Sequence, residues 1–407
     1  MDNKPVDIAA RSLEAHARWR GKLEITPRAA VDNADALSLA YTPGVAAACL
    51  AIKDNPELSY TLTRRWNTVA VVTDGSAVLG LGNIGADAGL PVMEGKCVLF
   101  KAFADVDAFP ILVGTQDVDG IVETVRNISH TFGGINLEDI AAPRCFEVER
   151  RLRELLDIPV FHDDQHGTAV VVGAAALNAL KVANRAVESA RFVINGMGAA
   201  GCAIARHLIS LGATDLIFVD RHGILAQGTE AELHMTSAQA ELAALSNRTR
   251  KRGVLADAMV GADVFIGVSA ANIVTTAMVE SMNPGAVVFA MANPTPEIMP
   301  DLAKAAGALV VGTGRSDYPN QINNVLAFPG IFRGALDIRA RTINEEMKRA
   351  ASFALAELIP PDELSPTNII PKPFDPRVGK AVAAAVAAAA QSSGAARLSQ
   401  PTCVCQG

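Results

Sequence analysis

The amino-acid sequence predicts an α/β protein built from two domains and a helical C-terminal segment. The chain has 407 residues, which exceeds the roughly 250 to 300 residues at which a single hydrophobic core usually stops growing. Short apolar runs that end at turns alternate with helical stretches, an order typical of sheets covered by helices. A glycine-rich turn between a strand and a helix lies near the middle of the chain. We therefore predict domains at 1–165 and 166–345, followed by helices and a loose tail at 346–407.

The first predicted domain begins with helices and continues with alternating strands and helices. Up to about Arg65 the sequence favours helices that break at Thr26-Pro27 and at Thr42-Pro43-Gly44. Apolar runs then predict three strands, the last of which ends directly at His162 and two acids. The strands are predicted at Val69–Thr73, Phe109–Val113 and Ile158–Phe161, and helices at Lys96–Ala104 and Gly167–Lys181.

From Arg191 the pattern changes to short strands rich in Val, Ile and Phe, separated by helical stretches. Such near-continuous apolar strands indicate a parallel sheet that is buried on both faces, which is a doubly wound domain. Beyond it we expect helices to about Leu358, an irregular stretch at 370–373, and a last helix, all packing back on the body. The strands are predicted at Phe192–Ile194, Leu216–Val219, Val264–Ile266, Val287–Ala290 and Leu309–Val311.

Composition and charge exclude several classes of function. The formal net charge is −7 and half of the residues are hydrophobic, so we expect no basic surface for nucleic acid and no polybasic patch for a membrane. The longest unbroken apolar run, Ala381–Ala390, is well short of the ~20 residues of a membrane helix. The cysteines are scattered without the spacing of a zinc site. We expect a cytoplasmic protein that acts on a small molecule.

Two segments match the pattern Gly-x-Gly-x-x-Gly, and their contexts differ. The segment Gly196–Gly201 follows a predicted strand, opens a helix, and is succeeded by Asp220 at the end of the next strand. The segment Gly80–Gly85 lacks such an acid. Only the Gly196–Gly201 segment therefore predicts a Rossmann-like dinucleotide-binding domain. The predicted cofactor-binding residues are Gly196, Gly198, Ala199, Ala200, Gly201, Asp220, Arg221 and Asn293.

The residues at the end of the strand that follows the glycine turn leave the cofactor open between NAD and NADP. Asp220 favours NAD slightly, because a carboxylate can hold the ribose hydroxyls and would repel a 2′-phosphate. Arg221 stands beside it and could pair with that phosphate in NADP. The sequence predicts a nicotinamide dinucleotide without choosing between the two.

Two pairs of acids, Glu138-Asp139 and Asp163-Asp164, lie around the third predicted strand. By itself the first pair is better explained as the acidic start of a helix than as a metal site. The second pair is the stronger candidate, because adjacent acids flush against an apolar strand repel each other unless a cation or a basic partner compensates. Carboxylate oxygens suit Mg²⁺ or Mn²⁺. His162 and His166 flank these acids, and we expect them to orient or pack rather than to bind zinc.

Several short segments along the chain, taken together, are typical of one enzyme family. They are Tyr41–Val45, Thr73–Gly75, Gly80–Gly85, Glu94–Lys96, Ile135–Asp139, His162–Thr168, Ala292–Pro294, Gly312–Gln321 and Asn323–Val325. With these segments the sequence resembles the malic enzyme family, specifically its small bacterial form, from about Ala40 to Pro376. The resemblance implies an N-terminal catalytic domain before the nucleotide domain, and oxidation of (S)-malate by NAD or NADP with release of pyruvate and carbon dioxide. It implies Glu138, Asp139 and Asp164 as the ligands of Mg²⁺ or Mn²⁺.

The resemblance also implies roles for individual side chains. Lys96 would be the general base, Asp163 the acid that pairs with it, and Tyr41 the general acid that protonates the enol carbon. A lysine that acts as a base needs a pKa well below its usual value. Asn293 and Asn324 would hydrogen-bond the substrate carboxylates from loops of the nucleotide domain.

One position departs from the family pattern. Larger family members carry an arginine for the substrate carboxylate where this chain has Ala77. We hypothesise that Arg315, in a loop after a strand of the nucleotide domain, takes its place.

Two other functions stay open from the sequence. A dehydrogenase for amino acids or folate derivatives could share the two-domain layout and would need no metal. A non-catalytic nucleotide-sensing module is disfavoured, because every candidate catalytic and metal-binding residue is present. The resemblance implies a homodimer, and we expect this chain to lack the phosphotransacetylase-like domain that small bacterial relatives often carry.

Overall fold

The computed structural model describes residues 7–78 and 81–401. The chain starts with a segment that we call the N-terminal arm, residues 7–55, in which no residue is buried. Several of its apolar side chains, among them Leu13, Leu39 and Tyr41, are more than half exposed. The arm contains helices α1 (Ile8–Trp19), α2 (Ala34–Ala40) and α3 (Val45–Asp54).

One stretch of the arm, Ala34–Asp54, is long and apolar enough by composition to cross a membrane. It is not one helix, because α2 ends at Ala40 and α3 begins at Val45. At 1.5 Å per residue neither helix approaches the ~30 Å thickness of a bilayer core. The break at Thr42-Pro43-Gly44 that the sequence predicted is therefore what argues against a membrane span.

The first domain carries a four-stranded parallel sheet with the spatial order β2-β1-β3-β4. Its central strand β1 is buried at every position, as expected for a parallel strand covered on both faces. The elements are α4 (Ser59–Leu62), β1 (Thr68–Thr73), α5 (Ala86–Ala104), β2 (Asp107–Leu112), α6 (Val118–Ile128), β3 (Gly134–Leu137), α7 (Arg144–Leu155) and β4 (Val160–His162).

Helix α8 (Asp163–Val182) connects this sheet to the second one, and the predicted boundary at 165 lies within its first turn. The second sheet has the order β10-β9-β8-β5-β6-β7 and is parallel except for β7, which runs antiparallel to β6. The elements are β5 (Arg191–Asn195), α9 (Ala199–Ser210), β6 (Asp215–Asp220), β7 (Gly223–Ile224), α10 (Ser237–Leu245), α11 (Leu255–Met259), β8 (Val264–Gly267), α12 (Thr276–Glu280), β9 (Val287–Ala290), α13 (Pro300–Ala305) and β10 (Val310–Thr313).

The last three helices, α14 (Phe328–Asp337), α15 (Glu345–Glu357) and α16 (Arg377–Ser392), pack against one another and against α5 and α8. Asn178 on α8 donates from Nδ2 to the carbonyl oxygens of Ala356 and Ile369, at 2.8 and 3.0 Å. The C-terminal helices therefore pack back on the body as predicted, and one hydrophobic core runs through them, α8 and both sheets.

The structure confirms the α/β class and the doubly wound second domain. It also corrects details of the sequence analysis. Strand β3 was not predicted, so the predicted third strand is the fourth. Helix α7 begins at Arg144, so Glu138-Asp139 lie in a loop and not at the start of a helix. Helix α5 begins ten residues before the predicted start at Lys96.

Candidate active site

The two acid pairs lie side by side at one edge of the first sheet. Strands β3 and β4 are parallel neighbours, with Leu137 opposite His162. Glu138 directly follows Leu137 and Asp163 directly follows His162, so both pairs leave the sheet at its carboxyl edge. In open α/β sheets this is the edge where ligands bind.

Asp163 and Asp164 form the first turn of α8, where the partial positive charge of the helix N-terminus favours acids. One turn later, Gly167 leaves room for the carboxylate of Asp163. A Cβ atom at position 167 would lie 1.8 Å from Asp163 Oδ1. The glycine of the His162–Thr168 segment is therefore required by the acid four residues before it.

Glu138, Asp139 and Asp164 together offer a site for a hard divalent cation. One carboxylate oxygen from each lies within 4.8 Å of the other two, and oxygen-only donor sets suit Mg²⁺ or Mn²⁺. Asp164 Oδ2 accepts a hydrogen bond of 2.8 Å from the backbone N–H of Asp139, which has a positive φ of 54°. A non-glycine residue in this region is uncommon and recurs at functional sites.

The electrostatics of the cluster also fit a bound cation. Burial raises the pKa values of Glu138 and Asp163, although the positive charge of Lys96 opposes the shift. Asp163 Oδ1 is buried and has no hydrogen-bond partner among the described residues. Several buried carboxylates repel one another, and a divalent cation would offset that repulsion.

Lys96 lies in α5 and is buried beside the cluster, with 7% of its surface exposed. Its Nζ donates to Asp163 Oδ2 at 2.5 Å and lies 2.9 Å from Glu138 Oε1. The same nitrogen is 4.2 Å from the ring centroid of Phe328 on α14, a cation–π contact. Burial by itself would lower the pKa of Lys96, but attraction to Asp163 and Glu138 outweighs it and raises the pKa, which is the opposite of the lowered pKa expected for a general base. A divalent cation held by the neighbouring carboxylates would oppose this increase.

The two predicted substrate residues occupy loops at the carboxyl edge of the second sheet. Asn324 begins a short 3₁₀ helix between β10 and α14, and its Nδ2 donates to Asp163 Oδ2 at 2.6 Å. Asn293 is exposed in the loop after β9, next to Gly314 in the loop after β10. The structure thus joins Asn324 to the acid cluster. Within residues 7–78 and 81–401, no hydrogen bond joins Asn293 to these acids.

Ala77 stands where larger family members carry an arginine, and its backbone contacts the loop that carries Asp139. The N–H of Ala77 donates to the carbonyl oxygen of Asp139 at 3.0 Å. Arg315, the hypothesised replacement, donates to both carboxylate oxygens of Asp317, at 2.9 and 2.6 Å, so a neighbour already compensates its charge. A second arginine, Arg144, pairs at 3.2 Å with Asp74 in the turn that carries Ala77.

Tyr41 stands apart from the other catalytic candidates. It lies between α2 and α3 in the N-terminal arm and is 68% exposed. Among residues 7–78 and 81–401, no hydrogen bond or ring contact joins its side chain to Lys96 or to the acids. Within a single chain, the structure does not bring the predicted general acid to the predicted general base.

The two histidines of the acidic stretch have different surroundings. His162 is fully buried, with Nδ1 3.8 Å from Asp164 Oδ2. His166 Nε2 donates to Glu149 on α7, with its two oxygens at 2.8 and 3.0 Å, and Nδ1 accepts from Lys348 on α15 at 3.2 Å. Within the described chain neither belongs to the candidate metal cluster.

The nucleotide turn has the geometry that its glycines predict. Gly196 has a positive φ of 98°, and a Cβ at Gly201 would lie 1.9 Å from the carbonyl oxygen of Gly196, so both positions exclude a side chain. A Cβ at Gly198 would meet no atom within 4 Å, so open space lies where a pyrophosphate would approach at the start of α9. The other glycine segment precedes α5, and its Gly80 lies outside the described residues.

Asp220 ends β6 and lines a cleft of about 410 Å³ together with Gly196 and Arg221. A dinucleotide whose pyrophosphate lies at Gly198 would extend its ribose toward this acid. The residues present therefore fit the cofactor that the glycine pattern predicts.

Three side chains that contact the predicted residues were not predicted from the sequence. Asn136 donates to Glu138 Oε2 at 2.8 Å, Phe328 lies over Lys96, and Gln239 donates to Asp220 Oδ2 at 2.8 Å. Asn136 could have been suspected, because a polar residue in an apolar run two positions before an acid is unusual in a buried strand. Phe328 and Gln239 have no local signal, since their partners are far away in sequence.

Comparison with known proteins identifies both domains. Residues 20–153 match the family model of the malic enzyme N-terminal domain, and residues 165–391 match that of the malic enzyme NAD binding domain. The two matches lie on either side of the β4 to α8 connection, where Asp163 and Asp164 stand.

Curated relatives match over nearly the whole chain. The bifunctional malic/malolactic enzyme of Bacillus subtilis is 56% identical over 97% of this chain and 95% of its own length. The NAD-dependent malic enzyme of Geobacillus stearothermophilus is 53% identical over 97% of this chain and 81% of its own length.

A solved structure agrees with the fold. The crystal structure of malic enzyme from Pyrococcus horikoshii superposes with a TM-score of 0.92 at 45% identity, covering 97% of this chain and 93% of that one. Together with the two domain matches, this likeness shows that the chain belongs to the malic enzyme family.

Proposed function

We propose that this protein catalyses the oxidative decarboxylation of (S)-malate to pyruvate and carbon dioxide, with reduction of NAD or NADP. The observation that carries the proposal is the buried contact between Lys96 and Asp163, next to three carboxylates that fit a divalent cation. Asn324 brings a loop of the nucleotide domain to the same acid. A base and a cation site therefore lie next to a loop of the nucleotide domain.

Glu138, Asp139 and Asp164 would hold Mg²⁺ or Mn²⁺. When bound, the cation would polarise the hydroxyl and later the carbonyl oxygen at C2 of the substrate. The nicotinamide of the bound cofactor would accept the hydride from C2. Asn293 and Asn324 extend from loops at the carboxyl edge of the second sheet, and their amide groups would donate to the malate carboxylates.

Lys96 would take the proton of the C2 hydroxyl as general base. Its Nζ lies 2.5 Å from Asp163 Oδ2, so a proton can pass between the two groups without a large movement. Asn324 donates to the same oxygen and holds the carboxylate toward the lysine. After carbon dioxide leaves, the enol needs a proton at C3, and the phenol of Tyr41 can supply it.

Malate oxidation with Mn²⁺, run separately with NAD and NADP while reduced cofactor, oxaloacetate and pyruvate are measured, tests this assignment. We expect reduced cofactor and pyruvate in equal amounts, and loss of both after exhaustive treatment with EDTA. Oxaloacetate without pyruvate would overturn the decarboxylating step. Activity on an amino acid or a folate derivative that survives EDTA would favour the metal-independent alternative.

We also infer that the protein works as a homodimer in which the N-terminal arm packs on a second copy. The arm has no buried residue and exposes apolar side chains along its length, including Leu13, Ile25 and Leu39. Large contiguous exposed apolar patches mark protein interfaces. Tyr41 lies on the same arm, so packing of the arm on a second copy would deliver the phenol to the Lys96 of that copy.

Mixing two inactive variants tests the dimer and the shared site. We expect Tyr41→Phe and Lys96→Met enzymes to be inactive alone, and the refolded mixture to regain up to about a quarter of wild-type activity. Half of the dimers would then combine the two chains, each with one intact site. A mixture that stays inactive while hybrid dimers are present would contradict the arm exchange, and a monomer in sedimentation analysis would contradict the dimer.

The cytoplasm is the proposed location. The four cysteines of the described chain, Cys49, Cys97, Cys145 and Cys202, are all free thiols, as expected for a reducing compartment. Fractionation of cells that produce the protein would test this, and enrichment outside the cytoplasm would contradict it.

A further inference from the structure

The side chain of Gln239, at the first turn of α10, is held at both ends of its amide. Oε1 accepts a hydrogen bond of 2.8 Å from the backbone N–H of Thr236. Thr236 Oγ1 in turn accepts one of 3.3 Å from the backbone N–H of Gln239, which completes a capping box. Because the oxygen is engaged by the cap, the NH₂ group must point the other way. Gln239 is 6% exposed, so this orientation is set inside the protein.

The two hydrogens of this amide connect the glycine-rich turn to the acid of the ribose site. Gln239 Nε2 donates to the carbonyl oxygen of Met197 at 2.9 Å and to Asp220 Oδ2 at 2.8 Å. The other carboxylate oxygen, Oδ1, accepts from the backbone N–H of Arg221 at 2.8 Å. Asp220 is therefore fixed by one donor on each oxygen, and each oxygen keeps a second lone pair for a ligand.

The neighbouring cation is not engaged with this acid. The Arg221 side chain donates from Nε to His222 Nε2 at 3.1 Å and is exposed. Asp220 thus faces the cleft as a carboxylate that is not neutralised by a salt bridge within the described chain. The cleft beside it is the space in which the adenine-side ribose of a dinucleotide would lie.

We propose that Gln239 is a positioning residue that makes this enzyme select NAD over NADP by holding Asp220 toward the ribose. The inference rests on the proposed use of a nicotinamide dinucleotide. An oriented carboxylate accepts the 2′- and 3′-hydroxyls of NAD and repels the 2′-phosphate of NADP. To admit NADP, Asp220 would have to turn away, which would break two hydrogen bonds and leave a buried amide N–H of Gln239 without an acceptor.

A purely structural role for Gln239 makes a different prediction. If the residue only capped α10, its loss would weaken binding of both cofactors alike. Thr236→Val offers a matched control, because it removes the side-chain half of the same capping box without touching Asp220. Selectivity, expressed as the ratio of the two dissociation constants, separates the two roles.

The experiment measures dissociation constants of NADH and NADPH by nicotinamide fluorescence in wild type, Gln239→Leu and Thr236→Val. These titrations need no turnover, so they remain informative even if malate proves not to be the substrate. We expect wild type to prefer NADH, and Gln239→Leu to shift the ratio toward NADPH by about tenfold or more, the size of one hydrogen bond to a charged group. Thr236→Val should leave the ratio unchanged.

A double-mutant comparison completes the test. In an Asp220→Asn background the Gln239→Leu substitution should shift the ratio no further, because the acid through which it acts is gone. Gln239→Met, which keeps the side-chain length, repeats the measurement if the leucine variant does not fold. The proposal would be overturned if wild type preferred NADPH, or if Gln239→Leu weakened the binding of both cofactors equally. It would also be overturned if Gln239→Leu shifted the ratio in the Asp220→Asn background as much as it does in wild type.

Discussion

At the level of single residues, the position of Lys96 is defined by two carboxylates and an aromatic ring. We expect Lys96→Met to lower kcat for malate by about 10²- to 10⁴-fold, the usual contribution of a general base. The metal site should survive, because the substitution removes a positive charge that opposes cation binding. Binding of Mn²⁺, followed by electron paramagnetic resonance, and kcat measured on the same preparation check both parts.

Lys101→Met is the control for that substitution, since Lys101 lies on the same helix and its side chain is 53% exposed. It should keep nearly full activity. A Lys96→Met enzyme with kcat close to wild type would contradict the assigned role of Lys96 as the base.

A second prediction for a single residue concerns Gly167, because a side chain at this position would displace Asp163. Alanine at this position would place a Cβ 1.8 Å from Asp163 Oδ1, so the carboxylate must move away from Lys96 and Asn324. We expect kcat to fall by about 10²-fold, because a displacement near 1 Å in a catalytic group can cost that much. Steady-state kinetics with saturating Mn²⁺ and malate measure the loss.

Gly114→Ala serves as the comparison, because a Cβ at that loop position meets no atom within 4 Å. Its activity should match wild type. Full activity in the Gly167→Ala enzyme would show that Asp163 tolerates another position.

At the level of elements, hydrogen bonds of His166 connect the start of α8 to two other helices. The pKa of His166 is lowered mainly by burial, so the neutral ring can donate to Glu149 on α7 and accept from Lys348 on α15. Burial by itself would raise the pKa of Glu149, but its interactions with His166 lower it to about 2. A buried chain of three polar side chains thus joins three helices next to the metal-binding turn.

Removal of one member of this chain should be costly for stability. We expect Glu149→Ala to lower the free energy of unfolding by roughly 1 to 3 kcal/mol, because the buried N–H of His166 is left without an acceptor. This loss of stability is measured as a decrease in the melting temperature, followed by circular dichroism. Glu147→Ala, on the exposed side of the same helix, should leave it nearly unchanged, and equal melting temperatures for the two variants would contradict the role of Glu149.

At the level of the whole molecule, His207 links the nucleotide domain to the C-terminal helices. Its Nε2 donates to Ser352 Oγ on α15 at 2.7 Å, and that hydroxyl donates to the carbonyl oxygen of Val170 on α8 at 2.8 Å. Burial lowers the pKa of His207 to about 3. The positive charges of Lys348 and Arg349 and the nearby His166 add to the effect, and Glu345 opposes it.

This depressed pKa predicts a loss of stability in mild acid. The unfolded chain takes up a proton on this histidine below about pH 6.5, whereas the folded chain does so only near the lowered value. Stability is therefore complete above about pH 6.5 and falls as the pH drops toward 3, by up to ~1.4 kcal/mol per pH unit.

Melting temperatures between pH 7.5 and 4.5 should thus fall more steeply in wild type than in His207→Gln. His130→Gln, at an exposed position, should follow the wild-type curve. Parallel curves for wild type and His207→Gln would show that burial of this imidazole does not control the acid response.

Local patterns were sufficient for most elements of both sheets. The apolar runs at Val69–Thr73 and Val287–Ala290 became buried strands, because a continuous apolar run of this length suits a strand covered on both faces. Strand β3 escaped prediction because it has only four residues and carries Asn136 in its middle. Strand β7, with two residues, is too short to leave any period in the sequence.

The sequence by itself determined the fold class, the glycine turn at Gly196 and the identity of the acids, because each depends on residues close together in the chain. Tertiary structure alone decided which groups meet. The pairing of β3 with β4 brings Glu138 beside Asp164, the packing of α5 brings Lys96 to Asp163, and the cap of α10 brings Gln239 to Asp220. Strand order and helix packing depend on all elements at once, so no local pattern of the sequence encodes these contacts.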